Sequence, residues 1–194
     1  MKANLTNSLF DVVRVLVCTL VVIALLLTFF FRVVVVDGGS MYRTLRDGEL
    51  VIVTNYNNDY QNIKNGDIIA IAANSTHGTG NVSVETDYEG EYSKSLIKRV
   101  IATAGQTIEF DTDNGKVYVD GKAVDEPYVY GITSRGAQWD VPEVIPQGYV
   151  FVLGDNRGIS KDSRSAGIGL IDVNKIIGKA QFVLYPLRYA DFLY

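Results

Sequence analysis

Leu96-Ile97-Lys98-Arg99-Val100-Ile101-Ala102 is an apolar run, rich in β-branched residues, that carries two adjacent cations at its centre. Its length and composition read as a strand. Side chains alternate across a strand, so Lys98 shares one face with Leu96 and Val100, and Arg99 shares the other with Ile97 and Ile101. Whichever face is covered, at least one cation stands amid apolar neighbours. Loss of water disfavours an ammonium and lowers its pKa, whereas a guanidinium stays protonated. Lys98 is therefore a candidate general base. The alternative is a lysine on a sheet edge whose amine reaches water along its stem.

The segments on either side also read as β structure. Glu49 to Val53 and Asp67 to Ile71 are short β-rich runs, the second preceded by the turn pair Asn65-Gly66. Thr107 to Phe110, Tyr149 to Leu153 and Ile176 to Leu184 add further strands. Asn114-Gly115 and Asp120-Gly121 are hairpin signals, since a type I′ turn needs positive φ at both central positions. Residues 74–95 are polar and rich in Gly, Ser and Thr, and predict a flexible insertion. His77, the one histidine of the chain, falls within it and reads as a solvated loop residue. A Ser-His-Asp triad would need a fixed imidazole.

Toward the N-terminus the character changes. Residues 15–31 carry no charge, and Thr19 and Thr28 are their only polar members. Extended by Val12 and Val13 and by Val33 to Val36, the run is long enough as a helix to cross a hydrocarbon core of about 30 Å. It predicts one transmembrane helix over 12–34, after a short segment 1–11 and before a domain over 35–194. A cleaved leader would want a shorter apolar core and a small-x-small site, which Phe29-Phe30-Phe31-Arg32 lacks. A core helix of a soluble protein would show a polar face, and this run is apolar all round. Lys2 and Arg14 on one side balance Arg32, Arg43 and Arg46 on the other, so charge does not orient the helix.

Three of the 18 basic residues and one of the 22 acidic residues precede Asp37, so the remainder is acidic. That balance argues against nucleic acid as a partner. Cys18, the only cysteine, lies in the apolar run, which excludes an intrachain disulfide, a cysteine-ligated metal and a catalytic thiol. No cofactor or metal is expected.

Two further segments bear on chemistry. In Gly38-Gly39-Ser40-Met41 the paired glycines let the backbone approach a substrate closely and turn its N–H groups inward. An oxyanion hole needs such groups, with Gly38, Gly39 and Ser40 as candidates. Ser40 is a poor nucleophile until a base takes its proton, and a lysine is the natural base in a chain with one histidine. A flexible loop that happens to hold a serine is the plain alternative. Gly154-Asp155-Asn156-Arg157-Gly158-Ile159-Ser160-Lys161-Asp162-Ser163-Arg164 is denser in charges and hydroxyls than a turn requires. It reads equally as a self-bonded loop and as a support that holds the lysine.

In the order and spacing of four blocks the chain resembles the type I signal peptidases, membrane-anchored serine–lysine endopeptidases. The blocks are Gly39 to Leu45, Gly66 to Ile69, Lys98 to Ile101 and Gly154 to Arg164. The resemblance implies a mainly β fold, with a single N-terminal transmembrane helix followed by an extracytoplasmic, β-barrel-like catalytic domain. It further implies a cytoplasmic N-terminus at the plasma membrane, signal-peptide-bearing preproteins as substrates, the lipid bilayer as a partner, and a monomer. By position it makes Ser40 the nucleophile and Lys98 the general base. It has Ser160 bond the lysine amine, and pairs Asp162 with Arg164 in a supporting salt bridge. The family usually has proline where Arg43 stands, and Gly-Leu-Pro-Gly-Asp where this chain reads Ala102-Thr103-Ala104-Gly105-Gln106. These departures bear on loop rigidity and substrate range. They keep open a paralogue dedicated to one exported or pilus-type substrate, or a non-catalytic one.

Overall fold

A computed structural model of the chain describes residues 2–55, 62–72, 96–135, 141–165 and 167–193. The insertion at 74–95 and His77 lie outside the described residues. The chain divides into two compact units, Met1–Arg32 and Val33–Tyr194.

The first unit is helix α1, Lys2–Phe30. Its stretch Phe10–Phe30, with a mean hydropathy of 2.8, is long and apolar enough to cross a membrane. The hydroxyls of Thr19 and Thr28 donate to the carbonyls of Val15 and Ala24, one turn back, at 2.8 and 2.7 Å. Both polar side chains in the apolar run are thus satisfied without water. The helix stops earlier than residue 34, where the apolar run suggested it would end. Phe31–Val35 form strand β1 instead. Val33 to Val36 are four β-branched residues in succession, stiff at χ1 and better suited to a pleated surface than to a helix.

The second unit is β structure. Its strands are β2 Leu50–Asn55, β3 Ile68–Ile71, β4 Leu96–Ala102, β5 Ile108–Asp111, β6 Lys116–Val119, β7 Lys122–Ala123, β8 Tyr149–Leu153, β9 Ile171–Asp172 and β10 Ile176–Tyr185. Seven of the ten strands make one sheet in the order β1-β2-β10-β3-β4-β8-β9, and β5-β6-β7 make a second. Register irregularities fall within the β10 pairings with β2 and β3, and within the β4–β8 pairing. Bulges of this kind bend a strand and deepen its twist, which curls the large sheet.

β3 is buried along its whole length, and β4 from Ile97 onward. Side chains from the sheet divide among three apolar clusters. One gathers Met41, Leu45, Val51, Val53, Ile68 and Ile97. Another holds Ile69, Val100, Val150 and Val152, and the third Ile101, Ile108, Val117, Phe151 and Leu153. β4 contributes to all three. It is an interior strand, and its cations have no open edge beside them.

Of the two hairpin signals, Asp120-Gly121 forms the two-residue turn between β6 and β7, with φ of 50° and 70°. Asn114-Gly115 ends a longer connection between β5 and β6, because the Asp111 carboxylate accepts from the N–H groups of Asp113 and Asn114 and winds the chain there.

Candidate active site

The loop between β1 and β2 carries Ser40. Its base is closed by Val36 N–H donating to Glu49 O and Gly48 N–H to Val36 O. Met41 and Leu45 anchor it, being 1% and 0% exposed in the same cluster as Val51 and Val53. Ser40 thus stands beside a side chain sunk in the core, and its backbone cannot wander. From the other side Asn156 holds the same turn: its N–H donates to Ser40 O at 2.9 Å and its amide to Gly39 O at 3.1 Å.

Lys98 projects from β4 to meet this loop. Its Nζ lies 2.8 Å from Ser40 Oγ and donates to Ile97 O at 3.0 Å. The residue is 3% exposed. Burial pushes its pKa down to about 8, opposed by the negative charges of Asp162 and then Asp155. An amine so placed loses its proton through about pH 8 rather than 10.5, and in its neutral form can accept one.

Arg99 sits buried beside it and resolves its charge differently. The Asp155 carboxylate, 0% exposed, accepts Arg99 Nε at 2.9 Å and Nη2 at 2.7 Å. Asp155 also accepts the Thr44 hydroxyl, four residues after Ser40. Arg99 Nη1 donates to Gly66 O, and its guanidinium stacks 3.8 Å from the centre of the Tyr128 ring. Burial, followed by the charge of Glu126, raises the Tyr128 phenol above its ordinary range. The bidentate pair thus ties β4, the Ser40 loop and the segment after β8 together.

That segment is braced by a second buried pair. Arg164 Nε and Nη2 donate to Asp162 at 2.8 and 2.9 Å, and Asp162 also accepts Gly154 N–H at 3.0 Å. Arg157 pairs with Glu126, donates to Thr133 Oγ1, and reaches Gly154 O. Gly154 has no room for a side chain. A Cβ there would lie 2.2 Å from Ser160 Oγ and 2.5 Å from Ser40 O. Such contacts require glycine, and they show how closely the two loops meet.

Ser40, Lys98, Asp162 and Arg164 are therefore brought to one region, with two differences from the expected geometry. The bond expected between Ser160 and the Lys98 amine is not made. The amine is satisfied by Ser40 and Ile97, and Ser160 Oγ is buried without a partner among the described residues. Gly38 N–H, an oxyanion-hole candidate, already donates to Asp47 Oδ1 at 2.8 Å. Gly39 and Ser40 N–H remain without an acceptor among the described residues. Sequence reading gave no individual role to Arg99, Asp155, Asn156 or Gly154, although the last three fall in the segment read as a support for the lysine. The signal for the first two was present: an arginine inside a buried strand requires a buried acid, and Asp155 stands two residues past the end of an apolar strand.

The family pattern described as "Signal peptidase, peptidase S26" matches residues 9–185. The chain belongs to this family. Among its relatives, "Signal peptidase I" of Bacillus licheniformis is 33% identical over 96% of this chain and 94% of its own length. "Signal peptidase IB" of Staphylococcus aureus (strain MRSA252) is 34% identical over 82% of this chain and 79% of its own. A crystal structure of a signal peptidase I from Enterococcus faecalis V583 is 23% identical, with a TM-score of 0.43, covering 60% of this chain and 95% of that one. Among the described residues of this peptidase there is no group of three or more His, Cys, Asp or Glu side chains able to hold a metal ion.

Proposed function

We propose that this peptidase is a membrane-anchored serine endopeptidase that removes signal peptides from exported preproteins, with Ser40 as nucleophile and Lys98 as general base. The observation that carries this reading is the 2.8 Å approach of a buried amine, its pKa lowered by that burial, to the Ser40 hydroxyl. Lys98 takes the Ser40 proton as Oγ attacks the scissile carbonyl. Gly39 and Ser40 N–H, without an acceptor among the described residues, serve the developing oxyanion. Lys98 then protonates the departing amine. With its proton gone, it draws one from the water that hydrolyses the acyl-enzyme. Asp162–Arg164 and Arg99–Asp155 act at one remove, by fixing the loops that carry the reacting groups. Ser160, a buried hydroxyl with an unused bonding capacity beside the Ser40 backbone, gives the amine a second partner once Oγ is acylated.

Helix α1 anchors the chain, with residues 1–11 cytoplasmic and the β domain on the far side of the membrane. Enzyme and preprotein then share one bilayer, and their encounter gains from the raised effective concentration. The enzyme acts as a monomer.

The test is cleavage of a model preprotein, followed by N-terminal sequencing of the product. Ser40→Ala and Lys98→Met are each expected to lower kcat/KM by at least about 10³-fold while the protein stays folded and membrane-bound. In the wild type kcat/KM is expected to rise with pH through about 8, as Lys98 loses its proton. Near-normal turnover of Lys98→Met would refute the dyad.

A further inference from the structure

A cavity of about 550 Å³ lies within the β domain, and Thr44 and Arg99 are among its walls. Three of its walls are arginines with no role in that reaction: Arg43, Arg46 and Arg188. None of the three guanidinium groups has an ion pair or a hydrogen bond among the described residues; aromatic rings are their neighbours instead. Arg43 lies 5.1 Å from the Tyr130 ring centre. Arg46 and Arg188 lie 3.8 and 4.7 Å from the same ring, that of Tyr189. Two cations sharing one ring repel each other, and each keeps donors unspent.

The charges present limit the ligand. Glu49 and Asp191 also line the cavity, and their oxygens accept backbone N–H groups of Arg46 and Phe192. Arg99 is neutralised by Asp155. Three unpaired cations against two carboxylates leave one net positive charge. That suits a single monoanion and not a polyanion. Guanidinium forks match the oxygens of phosphate in particular. Phe192, which lines the cavity, is 63% exposed, and Leu187, next to Arg188 in the chain, is 78% exposed. A charged recess with exposed apolar side chains at its edge is complementary to an amphiphile with a phosphodiester head. We infer that this cavity binds the phosphodiester of an anionic phospholipid, with Arg46 and Arg188 as the principal donors. The site does not depend on the peptidase reading, and neither Ser40 nor Lys98 lines it.

Native mass spectrometry of the full chain in non-ionic detergent tests the assignment, with dihexanoyl phosphatidylglycerol, dihexanoyl phosphatidylcholine and inorganic phosphate as probes. The wild type is expected to retain phosphatidylglycerol in preference to phosphatidylcholine. Arg46→Gln with Arg188→Gln is expected to weaken phosphatidylglycerol binding roughly 30-fold, leaving peptide cleavage in detergent unchanged. Arg46→Lys, which keeps the charge and loses the fork, is expected to fall between them and serves if the double variant does not fold. Equal retention by wild type and double variant would overturn the site. Equal retention of the two lipids, or displacement of phosphatidylglycerol by an equal concentration of inorganic phosphate, would overturn the lipid as its ligand.

Discussion

At the residue scale, Lys98 and Arg99 show two adjacent cations meeting burial in opposite ways. The arginine keeps its charge and takes a carboxylate into the core with it. The lysine lies close to acids without pairing to one, and lets its pKa fall instead. The lysine's solution has a thermodynamic signature. Its pKa is 10.5 in the unfolded chain and about 8 in the folded one. Between those values the unfolded state binds more protons, so this group makes stability rise with pH across that window. Below about 8 the penalty is present in full. Lys98→Met, of similar volume and without charge, is therefore expected to unfold at a higher temperature than wild type at pH 7. The gap should shrink as pH rises toward 10.5. Thermal denaturation at a series of pH values checks this, and a gap that widened with pH would contradict it.

Elements carry the coupling between the two loops. β4 delivers both cations, the β1–β2 loop delivers Ser40 and Thr44, and the segment after β8 delivers Asp155. Asp155 is the joint, since Arg99 and Thr44 both donate to it. Asp155→Asn keeps the shape and leaves a buried guanidinium without its counter-charge, a change costing about 3–5 kcal/mol. The expected result is a large fall in Tm, with kcat falling as the Ser40 loop loses its tether; urea denaturation and peptide hydrolysis measure the two. β4 was legible because its apolar residues and its length agree with a buried strand. Ser40 and Lys98 were legible as candidates by residue type. Their meeting was legible only through the family resemblance, because it depends on a pairing of elements that no local pattern encodes. β1 was hidden for another reason: Val33 to Val36 prolong the apolar run of α1, and hydropathy alone cannot separate a strand from the end of a helix. Of the two departures that bear on loop rigidity, the 102–106 segment is tied down in the structure, whereas the Arg43 guanidinium meets only the Tyr130 ring among the described residues. Gln106 Oε1 accepts Thr103 N–H at 2.8 Å, and its amide donates to Asp120 at 3.0 Å. A side chain does there what proline does elsewhere.

Across the whole molecule, the β domain contains every described group assigned to the reaction, and α1 contains none. Deletion of residues 1–30 leaves β1 in place as the edge of the sheet. The shortened protein is expected to cleave a soluble peptide with kcat within about threefold of the full chain. On a preprotein embedded in vesicles it is expected to lose at least about a hundredfold in efficiency, because anchoring no longer concentrates it beside its substrate. Parallel assays on the two substrates separate these effects, and an equal loss on both would show that the helix also supports the fold.

β10 is the last strand made, yet it lies between β2 and β3, among the first. Until residues 176–185 arrive, those two early strands have nothing to bridge them, and the sheet under Lys98 stays open at its middle. A copy that lacks β10 therefore lacks the strand joining the β1–β2 pair, whose connection carries Ser40, to the β3–β4 pair that carries Lys98.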